Sequence, residues 1–171
     1  SLGSATPSIG GNDVALGQGY VFWTEATNGR VVRYSLSDGK TTNVVTGQAA
    51  PYLLATDTAY VYWADRFNGN FTIKRASQDN PDPAAPENVL VASVPGTLTT
   101  LATDGQNVYY AGMFGRNDKV GYVLVSGGTG QPFFQDGVTT EVPPGLLAVA
   151  KGAVYYFSPN DMNIQALVTV R

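Results

Sequence analysis

A block of ten residues occurs four times along this chain, and no other feature constrains its fold as strongly. The copies end at Trp23, Trp63, Tyr110 and Tyr156, and each contains an alanine six residues before a valine. The valines follow one another at spacings of 40, 47 and 46 residues. Helical-hairpin repeats have periods of about 34 residues, whereas blades of a β-propeller have periods of about 40–50. The spacing therefore predicts a propeller of similar blades.

Each unit contains segments with the composition of β-strands. In the second unit they are residues 51–56, 60–64, 71–76 and 89–94, which are rich in β-branched and aromatic side chains. Dipeptides that favour tight turns separate the strands: Asn28-Gly29, Asp38-Gly39, Asn68-Gly69, Asp104-Gly105 and Gly127-Gly128. We predict a single all-β domain over residues 1–171, a β-propeller of about four four-stranded blades. The units run approximately over residues 10–48, 49–95, 96–141 and 142–171, and the last blade is incomplete.

The composition removes most familiar active sites. The chain has no Cys and no His, so it can form neither a disulfide nor a thiolate or imidazole metal site, and it lacks the usual bases of nucleophilic catalysis. Ten Lys and Arg residues oppose thirteen Asp and Glu residues, and they form no basic stripe. No apolar stretch is long enough to cross a membrane. We expect neither nucleic-acid binding nor membrane insertion, and we favour a role other than that of an enzyme.

Two units close their repeat with an aromatic residue, a Trp, a small residue and an acid. The segments are Phe22-Trp23-Thr24-Glu25 and Tyr62-Trp63-Ala64-Asp65, and residues 109–112 and 155–158 are degenerate forms. At these positions the chain resembles the YWTD repeat propellers of the low-density lipoprotein receptor class, and more loosely NHL-type and bacterial secreted propellers. The resemblance implies an extracellular or cell-surface location, although residues 1–7 contain no recognisable signal segment.

The resemblance also implies a structural partner for the acid that closes the motif. In the family this acid pairs with a basic residue on the third strand. Carried over to this chain, it implies the pairs Glu25 with Arg33 and Asp65 with Arg75. Both pairs would hold the blade together rather than serve a ligand.

The number of units raises the question of how the ring closes. The family typically has six blades, whereas four units are present here, and the third and fourth have Gly112 and Ser158 in place of the acid. Residues 1–9 could add the missing strand, two copies could form a larger ring, or a separate chain could supply further blades. Residues 1–9 are rich in Gly, Ser and Pro, which disfavours a strand. We therefore expect another chain or a second copy to complete the propeller, and a pure assembly role is one alternative function.

Propellers usually recognise partners with loops that rigid blades hold in place. Four phenylalanines at predicted loop tips are candidates for such contacts: Phe67, Phe114, Phe133 and Phe134. A proline-rich insertion at residues 78–87 is a predicted surface loop of the same kind. The favoured function is a non-enzymatic propeller that recognises a protein or glycan partner through these loops.

Side-chain oxygens are the only groups here that could support catalysis or bind a cation. Asp57 and Asp104 occupy the same position in two units, where they could cap turns or hold a cation near the axis of a lyase or hydrolase. Asp65, Asn68 and Asn70 form a second group, which matches no EF-hand spacing and is typical of turns. No cofactor is predicted, and calcium is the cation that these five residues would suit.

Overall fold

The computed structural model describes residues 13–82, 88–114, 117–128, 131–135, 145–150, 153–158 and 163–168. These residues form fourteen strands and no helix, which confirms the predicted all-β class. No helix in this part of the chain is therefore available to span a membrane. The first seven strands are β1 (Val14–Leu16), β2 (Tyr20–Glu25), β3 (Arg30–Ser35), β4 (Thr41–Val45), β5 (Pro51–Thr56), β6 (Tyr60–Phe67) and β7 (Asn70–Ser77). The remaining strands are β8 (Asn88–Thr103), β9 (Asn107–Phe114), β10 (Asn117–Leu124), β11 (Gln131–Gln135), β12 (Gly145–Ala150), β13 (Ala153–Ser158) and β14 (Asn163–Val168).

The strands form antiparallel sheets in which neighbours in sequence are neighbours in space. Blade 1 is the sheet β1-β2-β3-β4, and blade 4 is the three-stranded sheet β12-β13-β14 in the described residues. Blades 2 and 3 share one continuous sheet from β5 to β11. Each predicted turn dipeptide lies between two paired strands, and its glycine has a positive φ.

The long strand β8 belongs to two blades. Residues 88–95 pair with β7 as the fourth strand of blade 2, and residues 96–103 pair with β9 as the first strand of blade 3. Gly96 lies at the junction with a φ of 139°, a conformation that other residues rarely adopt. The sequence predicts a strand that ends at residue 94, whereas in the structure the chain passes directly from one blade into the next through this glycine.

Each blade has a forward face, turned to the next blade along the chain, and a backward face, turned to the previous one. Successive side chains of a strand point to opposite faces, so adjacent aromatic residues serve different interfaces. Phe22 of the forward face of blade 1 packs with Leu54 and Trp63 of the backward face of blade 2. Tyr62 in the same way shares a buried cluster with Tyr110 of blade 3.

Most of the aromatic residues that end the four repeat blocks lie in the core. Phe22, Tyr62, Trp63, Tyr109, Tyr110 and Tyr156 are all buried. Tyr156 packs with Ala111 and Val120 between blades 3 and 4. Tyr155 differs, because it lies on the forward face of the last blade and is 36% exposed.

The blade array has two edges, which we name by their turns. The upper edge carries the connections from second to third strand, at residues 26–29 and 68–69, together with the links between blades. The lower edge carries the turns from first to second strand, at residues 17–19, 57–59 and 104–106.

Candidate functional site

The acid of the first motif is buried at the centre of a hydrogen-bonded cluster at the upper edge. Glu25 accepts hydrogen bonds from Trp23 Nε1 at 3.0 Å, from Asn28 Nδ2 at 2.7 Å and from Arg30 Nε at 2.6 Å. Burial tends to raise the pKa of Glu25, but the hydrogen bonds from Arg30, Asn28 and Trp23 outweigh it and lower the pKa to about 2. Glu25 is therefore an ionised structural group rather than a proton donor at neutral pH.

The acid of the second motif holds the link between blades 1 and 2. The Asp65 carboxylate accepts hydrogen bonds from the main-chain N–H groups of Ala49 and Ala50, at 3.3 and 2.8 Å. Lys74 Nζ lies 3.0 Å from Asp65 Oδ2 and 2.7 Å from Gln48 Oε1, which also accepts a bond from Trp63 Nε1. Asp65 thus fastens the chain where it leaves one blade and enters the next.

The predicted pairs of Glu25 with Arg33 and of Asp65 with Arg75 are wrong. Glu25 pairs with Arg30, and Asp65 pairs with Lys74. The reason is the alternation of side chains along a strand. In the register of the sheets Arg33 lies opposite Phe22 and Arg75 lies opposite Tyr62. Both arginines therefore belong to the forward face, while the two acids belong to the backward face.

Arg33 and Arg75 instead contact the following blade. Arg33 Nη1 donates to the backbone carbonyl of Gln78, and Arg75 Nη1 donates to that of Val125. The guanidinium of Arg33 also lies over the ring of Tyr20, at 4.6 Å from its centroid, and that of Arg75 over Tyr60 at 4.4 Å. The Tyr and the Arg recur together in units one and two, which is a sequence signal for the ring contacts but not for the bonds to the next blade.

Asp57 and Asp104 cap turns at the lower edge. Asp57 Oδ1 accepts the N–H groups of Ala59 and Tyr60, both at 2.7 Å, and its Oδ2 accepts the Tyr62 hydroxyl at 2.5 Å. Asp104 makes the equivalent bonds, with its Oδ2 2.9 Å from the Tyr109 hydroxyl. Burial and the neighbouring carboxylate raise the pKa of Tyr62, as they raise that of Tyr109.

The pKa of Asp104 is affected by opposing influences. Burial tends to raise it, but hydrogen bonds from the main chain of Asn107 and Gln106 and from Tyr109 outweigh burial, and the pKa lies below its usual value. Both turn carboxylates thus have their oxygens engaged by groups of their own blade.

The other predicted cation ligands lie around the β6–β7 hairpin. Asn68 is in its two-residue loop, Asn70 begins β7, and Asp65 is engaged by the blade link described above. In the part of the chain that the structure describes, no three acidic side chains lie close enough together to hold a metal ion. Calcium binding by these residues stays a prediction.

Phe67 and Phe114 occupy equivalent positions in neighbouring blades. Phe67 ends β6 and Phe114 ends β9, so the structure brings both to the upper edge. The Phe67 side chain is 66% exposed, and that of Phe114 lies outside the described part.

Two further candidates are not at loop tips. Phe133 and Phe134 belong to β11, the outermost strand of blade 3, where Phe134 pairs with Val120. The prediction of a tip is wrong because these residues continue the sheet beyond β10. Residues 83–87 of the predicted insertion lie outside the described residues. Gln78, at its start, is only 1% exposed and bridges two blades instead of forming part of a surface loop.

The hairpin tip that carries Phe67 is held by several bonds. Asn68 and Gly69 have φ values of 49° and 76°, which are typical of a tight two-residue hairpin loop. The carbonyl of Gly69 accepts the N–H of Gly96 at 2.9 Å, and the N–H of Arg66 donates to Ala50 at 3.2 Å. The Arg66 guanidinium lies 5.6 Å from the centroid of the Tyr52 ring. An exposed Phe thus stands on a rigid support beside an exposed Arg.

Comparison with known proteins supports the predicted fold. No family model and no curated protein sequence matches this chain. Among solved structures, the computationally designed Ika4 protein aligns with a TM-score of 0.68 and 13% identity, over 94% of this chain and 91% of that one. TolB from Acinetobacter baumannii aligns with a TM-score of 0.61 and 12% identity, over 92% of this chain and 43% of that one. The fold is a β-propeller.

A third similar structure is that of a Nidogen/Laminin complex. It aligns with a TM-score of 0.57 and 16% identity, over 88% of this chain and 72% of that one. At such identities the likeness concerns the fold alone, because unrelated functions share the propeller architecture.

Proposed function

We propose that this chain is a non-enzymatic recognition module, which binds a protein partner through the upper edge of its propeller around Phe67. The observation that carries the proposal is the exposure of Phe67 on a hairpin tip that hydrogen bonds hold in place. Aromatic residues and Arg dominate the energetics of protein interfaces, and Arg66 is adjacent. A rigid support lowers the entropic cost of binding.

The acidic side chains support a binding role over a catalytic one. Glu25, Asp57, Asp65 and Asp104 each accept hydrogen bonds from their own or the neighbouring blade. A general acid or base needs a proton that it can exchange with a substrate. These four groups are engaged in holding turns and blade links.

The repeat type and location are part of the same proposal. The motifs at residues 22–25 and 62–65 favour YWTD-type repeats, and the structural use of both motif acids is consistent with this type. The exposed Phe67 beside Arg66 favours a protein over a glycan as partner, because aromatic residues and Arg dominate the energetics of protein interfaces. We therefore propose an extracellular or cell-surface location.

The test is a binding screen with matched variants. The purified chain is immobilised and screened against a panel of extracellular proteins and a glycan array. Every hit is then measured with Phe67→Ala and with Leu36→Ala, an equally exposed apolar residue at the lower edge. We expect a protein hit whose affinity falls at least tenfold with Phe67→Ala and less than twofold with Leu36→Ala.

Other results would contradict the proposal in distinct ways. Binding to glycans alone would show that the partner class is wrong. Equal affinity of the Phe67→Ala variant would show that the upper edge is not the site. Both substitutions change exposed side chains, so circular dichroism should show that each variant remains folded.

A further inference from the structure

The two outer faces of the four-blade array carry exposed apolar side chains. On the backward face of blade 1, Val14 is 63% exposed and Leu16 is 74% exposed. On the forward face of blade 4, Tyr155 and Phe157 are 36% and 37% exposed. In the described residues, blade 4 does not pack on blade 1 as each blade packs on the next along the chain. These faces are therefore open to a partner.

The same repeat positions are buried wherever a neighbouring blade is present. Val14 corresponds to Leu54, which is 7% exposed, and Tyr155 corresponds to Tyr62, which is fully buried. In both cases the strand and the register are alike. The difference is that Leu54 and Tyr62 each lie against a further blade, in buried clusters that span two blades.

The outer faces are also more apolar than the inner ones at two positions. Leu16 stands where blade 2 has Thr56, and Phe157 stands where blade 2 has Ala64. Thr56 uses its hydroxyl to donate to the carbonyl of Leu16, at 2.6 Å. Large apolar side chains at the two outer positions favour burial in an interface over contact with water.

We propose that a second copy of this chain covers both faces. Blade 4 of each copy packs on blade 1 of the other, so that the interface repeats the forward-to-backward packing already formed between blades 1 and 2. The two faces differ, and such a head-to-tail contact closes when a twofold rotation relates the copies. The result is a ring of eight blades, within the range of about four to eight that propellers adopt.

The repeat also identifies the residues that meet across this interface. Phe22 packs in one buried cluster with Leu54 of the next blade. Tyr155 is the equivalent of Phe22, and Val14 is the equivalent of Leu54. Tyr155 of one copy is therefore expected to contact Val14 of the other. This inference does not depend on the upper edge that we propose as the recognition surface.

The experiment combines mass measurement with cross-linking. Light scattering of the full chain should give twice the 18.0 kDa of one copy. The variant Leu16→Asp should lower the mass to that of one chain, whereas Leu36→Asp, similarly exposed on the lower edge, should leave it unchanged. The chain has no native Cys, so introduced thiols report single contacts. Val14→Cys and Tyr155→Cys chains are mixed, re-equilibrated and treated with a short bis-maleimide, with Leu36→Cys replacing Val14→Cys as control.

Each outcome decides the proposal. A linked pair that contains one Val14→Cys chain and one Tyr155→Cys chain, absent from the Leu36→Cys control, supports it. A particle of 18.0 kDa overturns it. A link within one chain that carries both Val14→Cys and Tyr155→Cys also overturns it, since the four blades would then close alone. A dimer in which Val14→Cys links only to itself also overturns it, because the contact would not be head-to-tail.

Discussion

Arg33 Nη1, on the third strand of blade 1, donates a hydrogen bond to the backbone carbonyl of Gln78, which follows the third strand of blade 2. Arg75 and Val125 repeat this relationship one blade further along the chain. A side chain of one blade is thus attached to the main chain of the next. Consecutive blades are coupled by this attachment in addition to the apolar packing between their faces.

Replacing these arginines should weaken the coupling to different extents. Arg33→Met loses the bond to Gln78, a bond from Nε to Thr42 and the stacking on Tyr20, so we expect a loss of about 1–2 kcal/mol in the free energy of unfolding. Arg75→Met should cost less, because it also removes a buried Nε that has no partner among the described residues. Arg66→Met is the control, with an exposed guanidinium over Tyr52. Urea unfolding measures all three, and an equal loss in the control would contradict the blade-coupling role.

Gln78 should be among the polar residues that matter most for stability. Its Oε1 accepts the N–H of Gln18 in blade 1, and its Nε2 donates to the carbonyls of Asp57 and Tyr60 in blade 2. Gln78→Ala removes all three of these bonds from a buried side chain, while the Tyr60 carbonyl keeps its bond from the Asp57 N–H, so we expect a cost of about 2–3 kcal/mol. Gln18→Ala is the matched control, because only the main chain of Gln18 takes part. Thermal unfolding should show a clear fall in Tm for the first variant and almost none for the second.

The hydroxyl of Tyr62 should stabilise the turn only through Asp57. Tyr62→Phe should cost about 1–2 kcal/mol, since the carboxylate that accepts the 2.5 Å bond is charged. In an Asp57→Ala background the same change should cost almost nothing. Blade 1 lacks both the carboxylate and the hydroxyl, because Gly17 and Phe22 occupy the equivalent positions. A double-mutant cycle measures the coupling, and additive losses would mean that the two groups act separately.

Glu25 should make the stability depend on pH under acidic conditions. Its pKa is about 2 in the folded chain, against 4.5 as the ordinary value. A pKa that is lower in the folded than in the unfolded chain adds stability at pH values above the unfolded pKa. This contribution of about 1–3 kcal/mol is lost as the pH falls from about 5 to about 2. Glu25→Gln should be less stable at pH 7 and should show a shallower loss of stability over that range. Equal slopes for the two proteins in urea unfolding at pH 7, 4 and 3 would contradict this role.

Calcium should have little effect on stability. The oxygens of Asp57 and Asp104 are occupied by bonds within their turns. We expect the Tm to stay within about a degree when millimolar calcium is added or a chelator is present, because a ligand stabilises only the state that binds it. A rise of several degrees, abolished by Asp104→Asn, would instead support a cation site at the lower edge.

Much of the architecture could be predicted from local patterns. The spacing of the four repeats determined the blades, and the Asn-Gly and Asp-Gly pairs determined the turns. Strand β5 has the predicted bounds, because Pro51 and the turn after Thr56 delimit it. The candidate contacts were harder to predict. Phe67 and Phe114 were placed at one edge by their equivalent positions, whereas Phe133 and Phe134 belong to a strand.

The wrong predictions concern properties that strand register and packing between blades determine. Whether Glu25 reaches Arg30 or Arg33 depends on the strand register, and a shift of one residue moves a side chain to the other face of the sheet. Gln78 has the composition of a loop residue, yet it is buried because a second blade packs over it. No local pattern contains that information.

The sequence by itself determined the repeated unit, its strands and its turns, because these depend on interactions between residues close together in the chain. Only the tertiary structure decided which face of each blade is covered, which acids are engaged and which arginines couple the blades. The bonds between blades join residues 45 and 50 positions apart and depend on the packing of one sheet against another, while the partner of each motif acid depends on strand register. The exposed faces of blades 1 and 4 follow from the same principle, since equivalent residues are buried only where a neighbouring blade lies against them.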